Sequence, residues 1–180
     1  MRILGCDTNK NLSHITNQFI MYGLMLIQMI NDDDLYFELK ECGDFVRIDS
    51  IRFSHPNPQL DWDKKWIRSF VTLKAGGFLG QFECDLMIDD LVEFKHQLSI
   101  LYERHEGTAL LDTLEGQLKI NIKGDGIGHF EAKCYAMDFA GTGNKLDFEI
   151  NFDQTILPNM VKQLEKIIKY FSERTKEESI

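Results

Sequence analysis

The sequence predicts an α+β fold: a curved antiparallel sheet of about eight strands in meander or hairpin order, with two long helices on one face. Three observations predict it. Phe78, Phe82, Cys84, Leu86 and Ile88 share one parity, while Gln81, Glu83 and Asp85 take the other. A period of two sorts each set onto its own face of a pleated strand. At Asp89-Asp90 the period changes, and Leu91, Phe94, Leu98 and Leu101 recur at three- and four-residue steps, a helical stripe over residues 89–105 or so. The same succession returns where Leu146, Phe148, Ile150 and Phe152 lead into Asp153. A stripe of Leu157, Met160, Val161, Leu164, Ile168 and Phe171 follows, over residues 154–172 or so. The two passages align strand to strand and Asp to Asp, which raises an internal duplication, each half four strands and one helix. A strand followed by a capped helix is also a common succession, so both readings stand.

Taken in order, residues 1–30 read as an N-terminal extension. Phe19–Ile30 is an apolar run too short to span a bilayer. Arg2 and Lys10 precede it, as in a secretory signal, but Asn31-Asp32-Asp33-Asp34 supplies no small-residue cleavage site. A loosely attached helix fits better, as does an upstream extension with the start at Met21, Met25 or Met29. Residues 31–172 read as a single domain whose regular part begins near Leu35. Leu35, Phe37 and Leu39 alternate with Tyr36, Glu38 and Lys40, so this is a strand. Glu41-Cys42-Gly43-Asp44 is a turn by composition. In Phe45–Phe53 the parity slips between Val46, Ile48 and Ile51, Phe53, which predicts a bulge near Asp49-Ser50. Pro56 and Pro58 cannot continue a ladder, so a loop runs through Lys65. Strands are then predicted over Trp66–Lys74, Thr108–Leu114, Gln117–Lys123, His129–Asp138 and Leu146–Phe152, with Trp66 in the core. Asp89 and Asp90 are the expected caps of the first helix, Asp90 and Glu93 having capping-box spacing, and Asp153 caps the second. Gly107 lies past the first helix, where it can stop, and Pro158 belongs in the first turn of the second. Residues 173–180 form a polar tail that should fray.

The chain has 180 residues and a formal net charge of −9, with a pI near 5.0. An acidic surface repels nucleic-acid phosphates and anionic lipid, so neither direct nucleic-acid binding nor membrane association is expected, whereas a basic protein partner is compatible. Cys6, Cys42, Cys84 and Cys134 show no CxxC, and Cys84 and Cys134 sit on inward parities, as reduced cytosolic thiols do. The five histidines are scattered with no HxxxH or HExxH pair, so no metal and no cofactor is expected. Gly124-Asp125-Gly126-Ile127-Gly128 has the glycines of a phosphate loop, but the spacing is wrong and a strand follows, so it reads as a hairpin turn. No serine or cysteine stands in a nucleophile motif, and no catalytic residue is assigned. Glu83 and Asp85, with Asp147 and Glu149 at the equivalent positions of the repeat, point to the wet side of the sheet. They can serve as a solvated face, an acidic contact surface, or acid and base for hydrolysis. Trp62, between Asp61 and Asp63 in a polar loop, can anchor an interface, because a large flat side chain loses little entropy on binding.

Several short stretches in order are similar to one family. They are Trp62-Asp63 through Trp66-Ile67, Ala75-Gly76-Gly77-Phe78-Leu79-Gly80, Asp89-Asp90-Leu91 with Phe94, and Leu114-Glu115-Gly116-Gln117-Leu118. Gly124-Asp125-Gly126 with Gly128-His129, Gly143-Asn144, and Asp153-Gln154-Thr155 with Leu157-Pro158 complete them. Over Leu35 to Phe171 or so, the chain resembles the WapI-type immunity proteins of bacterial polymorphic-toxin systems. That resemblance implies a small cytoplasmic antitoxin that binds the C-terminal domain of a secreted toxin directed at the cell's RNA. It carries no contact motif. Joined to the charge, it implies that Glu83, Asp85, Asp147 and Glu149, with Asp61, Trp62 and Asp63, cover the active-site groove of a basic toxin. The alternative is a small-ligand-binding or hydrolytic domain that uses the sheet-face carboxylates.

Overall fold

A computed structural model describes residues 35–55 and 63–177. The expected N-terminal extension, and Asp61 and Trp62, lie outside the described residues. Among the described residues, eight strands and two α-helices run β1 (Tyr36–Glu41), β2 (Asp44–Phe53), β3 (Trp66–Ala75), β4 (Phe78–Met87), α1 (Ile88–Arg104), β5 (Glu106–Asp112), β6 (Leu118–Asp125), β7 (His129–Met137), β8 (Lys145–Asp153) and α2 (Leu157–Glu177). Each half is four antiparallel strands followed by a helix, the duplicated succession seen in the sequence. The α+β class and the hairpin order are as expected. The strands, however, divide between two four-stranded sheets, β1-β2-β3-β4 and β5-β6-β7-β8, where the sequence reading joined them in one. The link between β4 and β5 is the 17-residue helix α1, which carries the chain away from the β4 edge instead of folding it back in a hairpin.

Local chemistry sets the hairpins. Cys42 and Gly43 both take positive φ, 50° and 91°, the two-residue turn whose twist matches the strands it joins. The predicted bulge is present, the β2–β3 register slipping between Ser50 and Arg52. Alternation then sends one row from each strand inward. Phe37, Leu39, Ile48, Ile67, Val71 and Leu86 of the first sheet share a single core with Ala109, Leu111, Ile120, Ile122 and Ala132 of the second. Leu91, Phe94, Leu98 and Leu101 of α1 complete it, with Leu157, Met160, Leu164, Ile167 and Phe171 of α2. Phe94 meets the Phe37 ring edge-on at 5.7 Å and Phe171 meets Phe53 at 5.0 Å, so each helix places one aromatic against the first sheet. Val161 and Ile168, expected in the α2 stripe, flank it half-buried, and Ile167 takes the centre. Trp66, expected in the core, is only half-buried.

Helix boundaries depart from the sequence reading. Asp89 and Asp90 are not N-caps: α1 starts at Ile88, its N-cap is Met87, and Met87 makes no side-chain capping bond. Strand β4 runs straight into the helix, leaving no loop in which a capping residue could sit. Asp90 instead reaches back to accept from the Met87 amide, the return half of a capping box. Asp153 does not cap α2 directly. Its Oδ1 accepts from the Thr155 amide at 2.8 Å and from Thr155 Oγ1 at 2.6 Å, shaping the turn that precedes Leu157. Pro158 lies in the first turn of α2, where its missing N–H is harmless. α1 ends on His105, at φ 58°, and not on Gly107.

Each helix also seals a strand edge of the other half. Gln163 Oε1 of α2 accepts from the Glu38 amide of β1 at 2.9 Å. Gln97 Oε1 of α1 accepts from the Leu110 amide of β5 at 2.7 Å. Close to the end of α1, Gly126 N–H donates to the His105 carbonyl at 2.8 Å, which presses that carbonyl onto Gly124. A Cβ on Gly124 would lie 2.2 Å from the His105 oxygen and 2.9 Å from Phe130 Cε1. Gly124→Ala is therefore expected to destabilise the fold by about 2 kcal/mol or more, because backbone and a packed ring must both move. Urea unfolding measures it, and an unchanged midpoint refutes this packing.

Candidate functional site

The outer face of β4 carries the predicted carboxylates Glu83 and Asp85, and Arg68 of β3 holds both. Asp85 pairs in register with Arg68 across the strands. Its Oδ1 accepts from Arg68 Nε at 2.6 Å and its Oδ2 from Arg68 Nη2 at 3.0 Å. Glu83 Oε2 accepts from Arg68 Nη1 at 2.8 Å. Ser54 Oγ adds a bond to Asp85 Oδ1 at 2.7 Å. The fork geometry of guanidinium makes this a two-carboxylate clamp. One guanidinium thus engages both carboxylates.

Asp147 and Glu149 lie exposed on the outer face of β8, in the other sheet. Lys133 Nζ stands 3.7 Å from Glu149 and 3.8 Å from Glu131, and Asp147 pairs in register with Tyr135. The structure thus puts Glu83 and Asp85 beside Arg68 and Glu149 beside Lys133, and keeps the Glu83/Asp85 and Asp147/Glu149 pairs on separate sheets. Asp63 opens a single 3₁₀ turn, Asp63–Lys65, before β3. Asp89 in the first turn of α1 faces Lys65, with 2.7 Å between Oδ2 and Nζ.

A further cavity lies elsewhere. It has a volume of about 570 Å³ and is lined by Glu41, Asp125, His129, Glu131 and Asp153 over Phe130 and Phe152. Phe130 and Phe152 are stacked at 5.5 Å. Two of its carboxylates, Asp125 and Asp153, are already committed. Asp125 accepts from the Ile127 and His129 amides and lies 3.2 Å from His129 Nδ1, and those bonds hold it below the usual carboxylate range. Thr155 does the same to Asp153. A general acid needs the opposite shift. The Cys84 and Cys134 thiols are buried and pushed up to about 12, so they behave as apolar side chains. Among the described residues no group of three or more His, Cys, Asp or Glu is placed to hold a metal ion. Among them, too, no helix is long and apolar enough to cross a membrane.

Sequence reasoning missed the exposed apolar residues beside β4. Phe78 and Leu79 are 67% and 68% exposed at the start of the strand, and Phe139 is 69% exposed in the β7–β8 turn. Two adjoining grooves separate β4 from that turn, and both are lined by Phe82 and Asp138. One, about 370 Å³, also meets Glu83, Asp85 and Phe139; the other, about 260 Å³, meets Phe78 and Leu79. The signal was present in Gly76-Gly77-Phe78-Leu79-Gly80 and Asp138-Phe139-Ala140-Gly141. A large apolar side chain among turn residues cannot reach the core, and clusters of such side chains mark contact surfaces.

The model of the Immunity protein WapI-like family matches residues 37–172, nearly the whole two-sheet fold. The chain belongs to the WapI-like immunity protein family. No curated protein sequence matches it. Among solved structures, the Trypanosoma brucei MRP1/MRP2 structure is similar at 11% identity, with a TM-score of 0.46, over 82% of this chain and 94% of that one. A likeness of that size carries no argument about function.

Asp90 is the carboxylic acid that burial raises, chiefly by desolvation, and its Oδ2 is buried without a partner among the described residues. A raised folded-state pKa favours folding at a pH below the unfolded value of about 3.9, and that benefit is lost as pH rises through the folded value. Asp90→Asn should therefore match the wild type near pH 3 and exceed it at pH 7. Urea midpoints at the two pH values check the sign, and a variant weaker at pH 7 refutes it.

Proposed function

We propose that this chain is an immunity protein that binds a cognate toxin domain and occludes its active-site groove, and that the toxin domain is basic and acts on nucleic acid. Membership of the WapI-like family carries the reading. The net charge of −9 supports its finer part, since a domain that handles phosphates presents cations that an acidic partner would meet and screen. Glu83 and Asp85, held by Arg68, and Asp147 and Glu149 on β8 are the proposed anionic contacts, and Asp61, Trp62 and Asp63 are proposed contacts as well. A side chain already fixed by an ion pair gives up less rotamer freedom on docking than a free one.

The small-ligand or hydrolytic alternative needs one raised and one ordinary carboxyl facing each other in a cleft. Glu83 and Asp85 share a guanidinium instead, and the groove at Glu83 does not include Asp147 in its lining. Occlusion is the better-supported mechanism. It requires no step of chemistry from this chain.

The test is genetic and then kinetic. Co-expression of this chain with the C-terminal domain of the toxin encoded beside it should restore growth. Replacing Glu83→Gln, Asp147→Asn and Glu149→Gln together should slow association about tenfold at low salt and flatten its salt dependence, leaving dissociation nearly unchanged. Absence of rescue, together with no binding at micromolar concentration, would overturn the reading.

A further inference from the structure

The edges of the two sheets are treated differently. β1 has its Glu38 amide taken by Gln163, and β5 has its Leu110 amide taken by Gln97. β8 lies against β1. The remaining edge is β4. Its hairpin with β3 closes at Ala75 and Phe78 around Gly76-Gly77, so antiparallel alternation points Leu79, Gln81 and Glu83 away from β3. Two bonds confirm that parity: the Trp66 carbonyl accepts from Ser54 on the β2 side, and the Glu83 carbonyl accepts from Gln117 Nε2 at 3.2 Å. Leu79 and Gln81 have no such partner. Among the described residues nothing bonds the outward N–H and C=O of either.

An open edge is ordinarily blunted by proline, an inward charge or a covering element, because it templates pairing with another chain. Phe78-Leu79-Gly80-Gln81-Phe82 has no proline and no charge, and among the described residues no strand pairs with its outer edge. Phe78, Leu79, Gly80 and Phe82 line one of the two adjoining grooves described above, and Phe82 and Phe139 line the other.

We propose that this edge takes up an extended, basic segment of the partner protein as an added β-strand. The Leu79 and Gln81 backbones would supply the pairing, while Phe78, on the parity of Phe82, grips apolar side chains on alternate positions of the guest. Charge selects the occupant. Glu83, Asp85 and Asp138 outnumber Arg68 and Lys145 along the groove, so lysine or arginine on the solvent-facing positions of the guest is favoured by cross-strand pairing. A second copy of this chain is disfavoured, since each copy carries −9. This inference rests on the immunity reading for the identity of the partner. The pairing itself can be tested without it.

The probe is a short alternating peptide, Ac-Val-Lys-Val-Arg-Val-NH2, added to the full chain while amide hydrogen exchange is followed by NMR. The Leu79 and Gln81 amides should exchange quickly in the free protein, and saturating peptide should slow both by about tenfold or more. Gln81→Pro removes an outward N–H that no ladder bond uses, so the fold should survive while peptide affinity falls about tenfold. Gln81→Thr, which keeps the N–H, should bind as the wild type does. Equal protection from a backbone N-methylated peptide, from Ac-Val-Glu-Val-Glu-Val-NH2, or from raised protein concentration alone would overturn the proposal, as would no protection at millimolar peptide. With the toxin domain, rescue by the wild type that Gln81→Pro leaves undiminished sinks strand addition and spares the immunity reading. Failure of the wild type to rescue sinks the immunity reading, while protection by the peptide stands apart from it.

Discussion

The fold depends on one reciprocal arrangement, in which the helix of each half closes the first strand of the other. A four-stranded sheet with one dry face cannot cover that face itself, and its outermost strand leaves a row of unpaired amides. α2 meets both needs for the first half, with Phe171 against Phe53 and Gln163 on the Glu38 amide. α1 closes the second by placing Gln97 on the Leu110 amide, while Leu91, Leu98 and Leu101 fill the common core. Neither half could shed its partner without exposing an apolar sheet and a polar edge at once. This exchange joins two like successions of strands and helix into one unit with a shared core.

That arrangement decides where the remaining surface lies. The inner faces are consumed by the core, and the outer faces carry charge in register. Arg68 with Glu83 and Asp85, Arg47 with Asp49, and Lys119 with Asp112 are cross-strand or same-strand pairs at 2.6 to 2.8 Å. Surface pairs of this kind contribute little to stability. They do hold long side chains in place, and the outer sheet faces are therefore more ordered and more nearly neutral locally than the net charge alone would indicate. Affinity for a partner then rests on the places where apolar groups and unpaired backbone surface together, and the β4 edge is one. Electrostatics governs how quickly and how selectively a partner arrives.

Much of the fold was legible because its signals are local. The parity of Phe82, Cys84, Leu86 and Ile88, the slip between Ile48 and Phe53, and the turn at Cys42-Gly43 depend on residues within a few positions of one another. The helix starts were less legible. Asp89, Asp90 and Asp153 have capping chemistry, yet α1 begins directly from β4, so the cap position falls on Met87, which has no acceptor. The candidate carboxylates were correctly placed on the wet parity, but their partner Arg68 lies on a neighbouring strand and has no signature of its own in sequence. The exposed Phe139 was passed over because a lone aromatic in a turn differs from a core aromatic only by what surrounds it in space.

By itself, the sequence determined the class, the strand parities, the two amphipathic helices, the repeated succession and the family resemblance, since each is written in spacing along the chain. Tertiary structure alone decided that the strands part into two sheets, that the glutamines of α1 and α2 reach across to the opposite halves, and that the β4 edge has no strand beside it among the described residues. The physical reason is that strand alternation states which side of a strand is dry but says nothing about which edge meets which. Edges are matched by backbone groups that every residue possesses alike, and only packing in three dimensions chooses among them.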